Sequence, residues 1–319
     1  GSYYSAKGDA LLGMQYQEKA FEAATQLQNA ELIIQTGANL CWSYDYAGEF
    51  KKIVKAAPKV LVLLEKWPEN FEYLGITMNL YHVLLALHGH ALAYIGEFAQ
   101  GEEASRQALH LAEQDGNLYT LANVEFLLGC QFVPKGEGER AIKYLLRSSK
   151  NYEKLGAYIL LPVIWSLLSM GYLMLGQLNT ALQYTEKAFN MLAKTQMPGF
   201  LSMVHLASCS VYLGLGRLAE AKIEAEKALA IGQKNHERYC EGCAWLQHGR
   251  ILGKMDMTDT RQAEESLLQG LEILKELETR PAYAEGVLLL AELFFEAGDA
   301  DKGFENLKKA EAMFSEMDM

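Results

Sequence analysis

Along the stretch "PVIWSLLSMGYLMLGQLNTALQYTEKAFNML", from Pro162 to Leu192, large and small apolar residues fall three or four positions apart. Trp165, Leu168 and Tyr172 form one such series, and Ala181, Tyr184 and Ala188 form the next, with Gly176 between them. Spacing of this kind puts the apolar positions on one face of a helix, and a lone glycine between two such faces marks a turn. The rest of the chain reads the same way. Ala, Leu, Glu, Gln and Lys dominate, all good helix formers. Val/Ile/Thr alternation of the strand type is absent, so every element is expected to be helical.

The helix–turn–helix pattern is periodic. "YIGEFAQGEEASRQAL", "VPKGEGERAIKYLLRSS", "LMLGQLNTALQYTEKAF" and "LGLGRLAEAKIEAEKAL" align on Gly96, Gly136, Gly176 and Gly216, a spacing of 40 residues each time. Fixed periods in this range are the mark of repeat architectures, in which each unit stacks on its neighbours. Within the unit from Pro162, the order of large residue, Leu, small residue and aromatic, then Ala, aromatic and Ala, resembles the consensus of the tetratricopeptide repeat. Other units repeat it with departures, as at His88, Gly89 and Leu92, or at Leu290, Ala291 and Phe294. The resemblance implies an all-α, right-handed superhelical solenoid of about seven antiparallel helix pairs. Its units are placed at 34–81, 82–121, 122–161, 162–201, 202–241, 242–283 and 284–319, after a helical cap or truncated repeat at 1–33. Pro58 falls inside a second helix, where a proline costs ~3 kcal/mol, so that helix is expected to kink or restart.

Composition narrows the function. A net charge of −11 argues against a nucleic-acid partner, which needs a basic face, and against an anionic membrane surface. No apolar run approaches the ~20 residues that span a bilayer. Five cysteines without framework spacing suit a reducing, cytoplasmic setting. No signal peptide is evident, and Gly1-Ser2 reads as a cloning remnant at the start of a truncated chain.

Catalytic chemistry has little support. Phosphate-loop, nucleophile-elbow and H-E-x-x-H motifs are absent, and "GEGER" at Gly136 to Arg140 lacks the lysine and hydroxyl of a phosphate loop. His88 and His90 project ~200° apart on a helix and cannot share a metal. His236, Cys240, Cys243 and His248 could be read as H-x3-C-x2-C-x4-H, but they come from one connector and the helix after it, whereas structural zinc sites usually draw on two elements. No cofactor, metal or catalytic residue is therefore expected.

Recognition remains. In tetratricopeptide proteins the first helix of each pair lines the concave surface, and carrying those positions over gives Trp42, Tyr46, His90, Tyr94, Asn123, Phe126, Val163, Ser166, Met170, Met174, Met203, Leu206 and Arg250 as candidate binding residues. The Lys/Asn set with which some members clamp a chaperone's terminal carboxylate is replaced by Ala86, His90, Phe126, Cys130, Ser166 and Met170. The strip is apolar and Met-rich in the middle, suited to a protein or peptide partner such as an amphipathic helix. The alternatives are a strip packed on the chain's own helices, a closed cavity that senses a small molecule, and a homo-oligomer formed through the end helices.

The last units, "LQGLEILKELETRPAYAEGVLLLAELFFEAGD" and "LKKAEAMFSEMDM", are similar to the C-terminal ends of bacterial multidomain signalling proteins. In those, an adenylate or guanylate cyclase or transcription-factor domain precedes an ATPase module and a helical repeat tail. The resemblance implies a non-catalytic sensor or scaffold arm of a larger protein.

Overall fold

The computed structural model describes residues 4, 8–66, 71–73, 76–195, 201–256 and 260–319. Its helices are α1 (Ala10–Gln26), α2 (Ala30–Ala47), α3 (Phe50–Lys66), α4 (Leu80–Tyr94), α5 (Phe98–Asp115), α6 (Leu118–Gln131), α7 (Gly138–Leu155) and α8 (Leu161–Met174). They continue with α9 (Leu178–Thr195), α10 (Leu201–Gly214), α11 (Leu218–Asn235), α12 (Arg238–Met255), α13 (Arg261–Glu276), α14 (Arg280–Glu296) and α15 (Ala300–Glu316). Helix α1 stands ahead of seven antiparallel pairs, α2–α3 through α14–α15, which stack as a solenoid.

The turn glycines of the 40-residue period all take left-handed backbone, with φ of 91° at Gly96, 76° at Gly136, 69° at Gly176 and 72° at Gly216. Residues with a Cβ avoid that region, which is why glycine recurs there. Asparagine and aspartate caps begin several helices: Asn29 accepts from the Leu32 amide at 3.0 Å and Asn117 from the Thr120 amide at 2.9 Å. Small residues sit where paired helices cross. A Cβ on Gly129 would lie 2.6 Å from Leu145 Cγ, and Ser169 Oγ meets Thr185 Oγ1 at 2.8 Å.

Two expectations need correction. Phe71–Tyr73 and Ile76–Met78 form an antiparallel two-stranded hairpin between α3 and α4, with Tyr73 opposite Ile76. Phe, Tyr, Ile and Thr in these short runs favour extended backbone, but three residues are too few to show an alternation. Helix α3 also runs unbroken through Pro58. Pro58 is exposed, so the carbonyl it deprives of a partner, that of Val54, can be served by solvent. Glu102 of α5 accepts a 2.7 Å hydrogen bond from Arg140 of the next pair.

The solenoid curls until its ends meet. Helix α14 packs against α4, and Gly48 at the end of α2 lies against Tyr239 at the start of α12. The Tyr239 ring stands 5.3 Å from Phe50 and 5.3 Å from Tyr94, centroid to centroid. Met317 packs with Ala93, Phe98 and Ala284, and Lys51 pairs with Glu278. Among the described residues, no helix is long and apolar enough to cross a membrane.

Candidate binding cavities

Because the first helices carry lumen-facing residues three or four apart, each turns a narrow stripe toward the superhelix axis. On α8 the stripe is Val163, Ser166, Met170 and Met174; on α10 it is Met203, Leu206, Ser210 and Leu213; on α12 it is Tyr239, Cys243, Leu246 and Arg250. Curling encloses these stripes around two adjoining cavities.

The smaller cavity, about 80 Å³, is lined by Trp42, Asp45, Tyr46, Phe50, His90, Tyr94, Phe126, Val163, Met203, Glu237 and Tyr239, among others. His90 Nε2 lies 3.0 Å from Asp45 Oδ1. Glu237 accepts from Ser202 Oγ and, at 2.9 Å, from Asn235 Nδ2. Burial pushes the Glu237 pKa above the ordinary carboxylate value, against the lowering effect of those two hydrogen bonds.

The larger cavity, about 630 Å³, is lined by Ser166, Met170, Met174, Met203, Leu206 and Leu213 on one side and by Cys243, Arg250, Lys254, Glu285 and Phe314 on the other. Glu285 has accessible surface here, yet protein surrounds it closely, and that enclosure raises its pKa while Arg250 opposes the rise. The cavities adjoin through Tyr94, Leu167, Met203, Tyr239 and Cys240, which line both.

Twelve of the thirteen residues read from the sequence reach one cavity or both. Trp42, Tyr46, His90, Phe126 and Val163 lie on the smaller; Ser166, Met170, Met174, Leu206 and Arg250 lie on the larger; Tyr94 and Met203 are shared. Asn123 is the exception: it is 5% exposed, and its Nδ2 donates to the Tyr119 carbonyl one turn back. The N-terminal half of the strip is largely packed within the protein, with Val83 and Ala86 fully buried, whereas Met170, Leu206 and Ser210 keep accessible surface. Packed and accessible positions thus occur along the same strip. Phe50, Glu237, Tyr239, Phe314 and Met319 were missed, since they become lumen residues only when distant units meet.

The H-x3-C-x2-C-x4-H residues diverge. His236 caps α11 in left-handed conformation, Cys240 and Cys243 face the cavities, and His248 Nδ1 lies 3.2 Å from Ser266 Oγ on α13. Burial pushes the Cys243 thiol up to about 12 and raises Cys240 further, so both are inert thiols at neutral pH. The three histidines of α4 likewise separate: His90 meets Asp45, while His82 Nδ1 is 3.9 Å from Asp115.

No protein-family model matches the chain, and no curated protein matches its sequence. Among solved structures, it is similar to a Rap protein complexed with competence and sporulation factor, at TM-score 0.67 and 12% identity over 88% of this chain and 76% of that one. It is similar to the Rap conjugation gene regulator of plasmid pLS20 in complex with the Phr* peptide, at TM-score 0.67 and 17% identity over 91% and 77%. A signal transduction ATPase with a tetratricopeptide repeat sensor, from Pyrococcus horikoshii, matches at TM-score 0.52 and 15% identity over 96% of this chain and 47% of that one. These likenesses show that the chain has the tetratricopeptide-type helical solenoid fold.

Proposed function

We propose that this chain is a non-catalytic binding domain that takes a short, largely apolar peptide into the larger cavity. One observation carries the reading: Met170, Met174, Met203 and Leu206 face a lumen of about 630 Å³ whose far wall holds Arg250, Lys254 and Glu285. Methionine side chains adapt to varied apolar surfaces, and the volume lies within the ~300–1,000 Å³ of pockets that enclose a small ligand. A closed superhelix suits a few extended residues better than the long amphipathic helix an open trough would hold. The fold it shares with the pLS20 regulator, whose structure holds the Phr* peptide, supports a peptide as occupant. The narrower reading, a sensor arm of a signalling ATPase of the cyclase-bearing kind, is supported by the C-terminal resemblance and by the likeness to an ATPase with a repeat sensor.

The test is selection of short peptides from a displayed random library on the full chain. Enriched peptides should lose at least ~10-fold in affinity to the double variant Met170→Glu, Leu206→Glu, because each substitution puts an unpaired charge against an apolar ligand. Both residues keep accessible surface, so the variant should melt as the wild type does. Peptides that bind the folded variant unchanged would refute the lumen as the site.

A further inference from the structure

We propose that the smaller cavity is a receptor for an alkylammonium group. Its walls combine three properties that together select an organic cation over a neutral or anionic ligand. First, the rings of Trp42, Tyr46, Phe50, Tyr94 and Tyr239 all line it. Aromatic faces attract a cation within about 6 Å of the ring centre, more strongly where water is excluded. Second, it contains the Asp45 carboxylate, 23% exposed, and no lysine or arginine is among its lining residues. Lys51 and Lys52 on the adjoining α3 are engaged elsewhere, with Glu278, and with Glu18 and Glu49. Third, the side chain that meets Asp45 in this wall is His90, which carries no permanent charge. Its side chain is 7% exposed, and among the described residues Nδ1 has no hydrogen-bond partner while Nε2 lies 3.0 Å from Asp45. A half-buried carboxylate with no lysine or arginine beside it is stabilised by a ligand cation.

The size agrees. A cavity of about 80 Å³ holds roughly five to eight water-sized groups at ~10–15 Å³ each, enough for an ammonium and the methylenes next to it. Because Tyr94 and Tyr239 line both cavities, the ammonium can belong either to a free amine or to a lysine side chain or N-terminus of a peptide lying in the larger lumen. The peptide source rests on the function proposed above; the free-amine source does not.

The probe is n-butylammonium, titrated against the full chain by ligand-observed NMR, with n-butanol as the neutral molecule of similar shape. Butylammonium is expected to bind at least ~10-fold more tightly than butanol, and Asp45→Asn to erase that preference. Tyr46→Leu leaves the His90–Asp45 pair in place and is expected to weaken butylammonium about threefold, which keeps the test decisive if the Asp45 variant is unstable. A pentapeptide carrying one lysine among apolar residues, compared with its norleucine counterpart, separates the sources. A lysine peptide that outbinds both the norleucine peptide and butylammonium assigns the ammonium to a peptide; butylammonium that matches the lysine peptide assigns it to a free amine. Equal binding of butylammonium and butanol overturns the proposal, and leaves the peptide reading standing if library-selected peptides still depend on Met170 and Leu206.

Discussion

Glu237, the residue that caps the start of α12, is 6% exposed and places its carboxyl group between Ser202 Oγ and Asn235 Nδ2. Two hydrogen bonds do not outweigh the loss of water, so its pKa is raised in the folded protein. The same balance holds at Glu125, raised by burial although Arg147 Nε stands 2.6 Å away. Between the unfolded and the raised folded pKa, the folded chain binds more protons at Glu237 than the unfolded chain does. Stability from this group is therefore present at low pH and lost as pH rises through that window. Glu237→Gln removes the titration, keeps an acceptor for Asn235 Nδ2 and turns a donor to Ser202 Oγ, which can accept as well as donate. Urea unfolding at about pH 4.5 and about pH 7.5 should show the variant gaining on the wild type at the higher pH. A difference in stability, variant minus wild type, that stays constant or falls between the two pH values would mean that Glu237 ionises without penalty.

At the scale of the helix, the sequence was readable where geometry demands one residue type. Gly96, Gly136, Gly176 and Gly216 each need left-handed backbone, and the spacing of these glycines carried the register of the units. Met170, Leu206 and Arg250 were readable because the resemblance to the tetratricopeptide repeat implies which positions of the first helix face the concave side, and all three line the larger cavity. Asn123 shows the limit of that logic, because its position faces inward while its amide turns back to Tyr119 O. The hairpin at Phe71–Tyr73 and Ile76–Met78 offered too few residues for a period to show. Pro58 was misjudged because sequence does not say which face of α3 meets water. That residue also provides a measurement. Pro58→Ala restores a donor to the Val54 carbonyl and relieves the ring's crowding of the preceding turn, while giving the unfolded chain more freedom. The net expectation is a gain of about 1–2 kcal/mol in urea unfolding. A loss would show that the proline's restriction of the unfolded chain outweighs its cost within α3.

At the scale of the whole molecule, the cavities exist because distant units touch, and the relative strength of those contacts says how the ring could be opened. The Lys51–Glu278 pair is exposed on both sides, 39% and 53%, and such pairs contribute about 0–1 kcal/mol. The two apolar joints matter more: Tyr239 against Phe50, Tyr94 and Gly48, and Met317 among Ala93, Phe98 and Ala284. Removing a buried aromatic side chain typically costs about 3–5 kcal/mol. In a solenoid most of each unit's stability comes from its neighbours in sequence, so losing the joints should open the ring without unfolding the units. The double variant Tyr239→Ala, Met317→Glu is accordingly expected to keep its helical circular dichroism at 25 °C, to show a larger radius of gyration by small-angle scattering, and to lose butylammonium and peptide binding together. Scattering that superimposes on the wild type would mean that the stacking of successive pairs sets the curvature by itself. The aromatic joint would then be a consequence of closure rather than its cause.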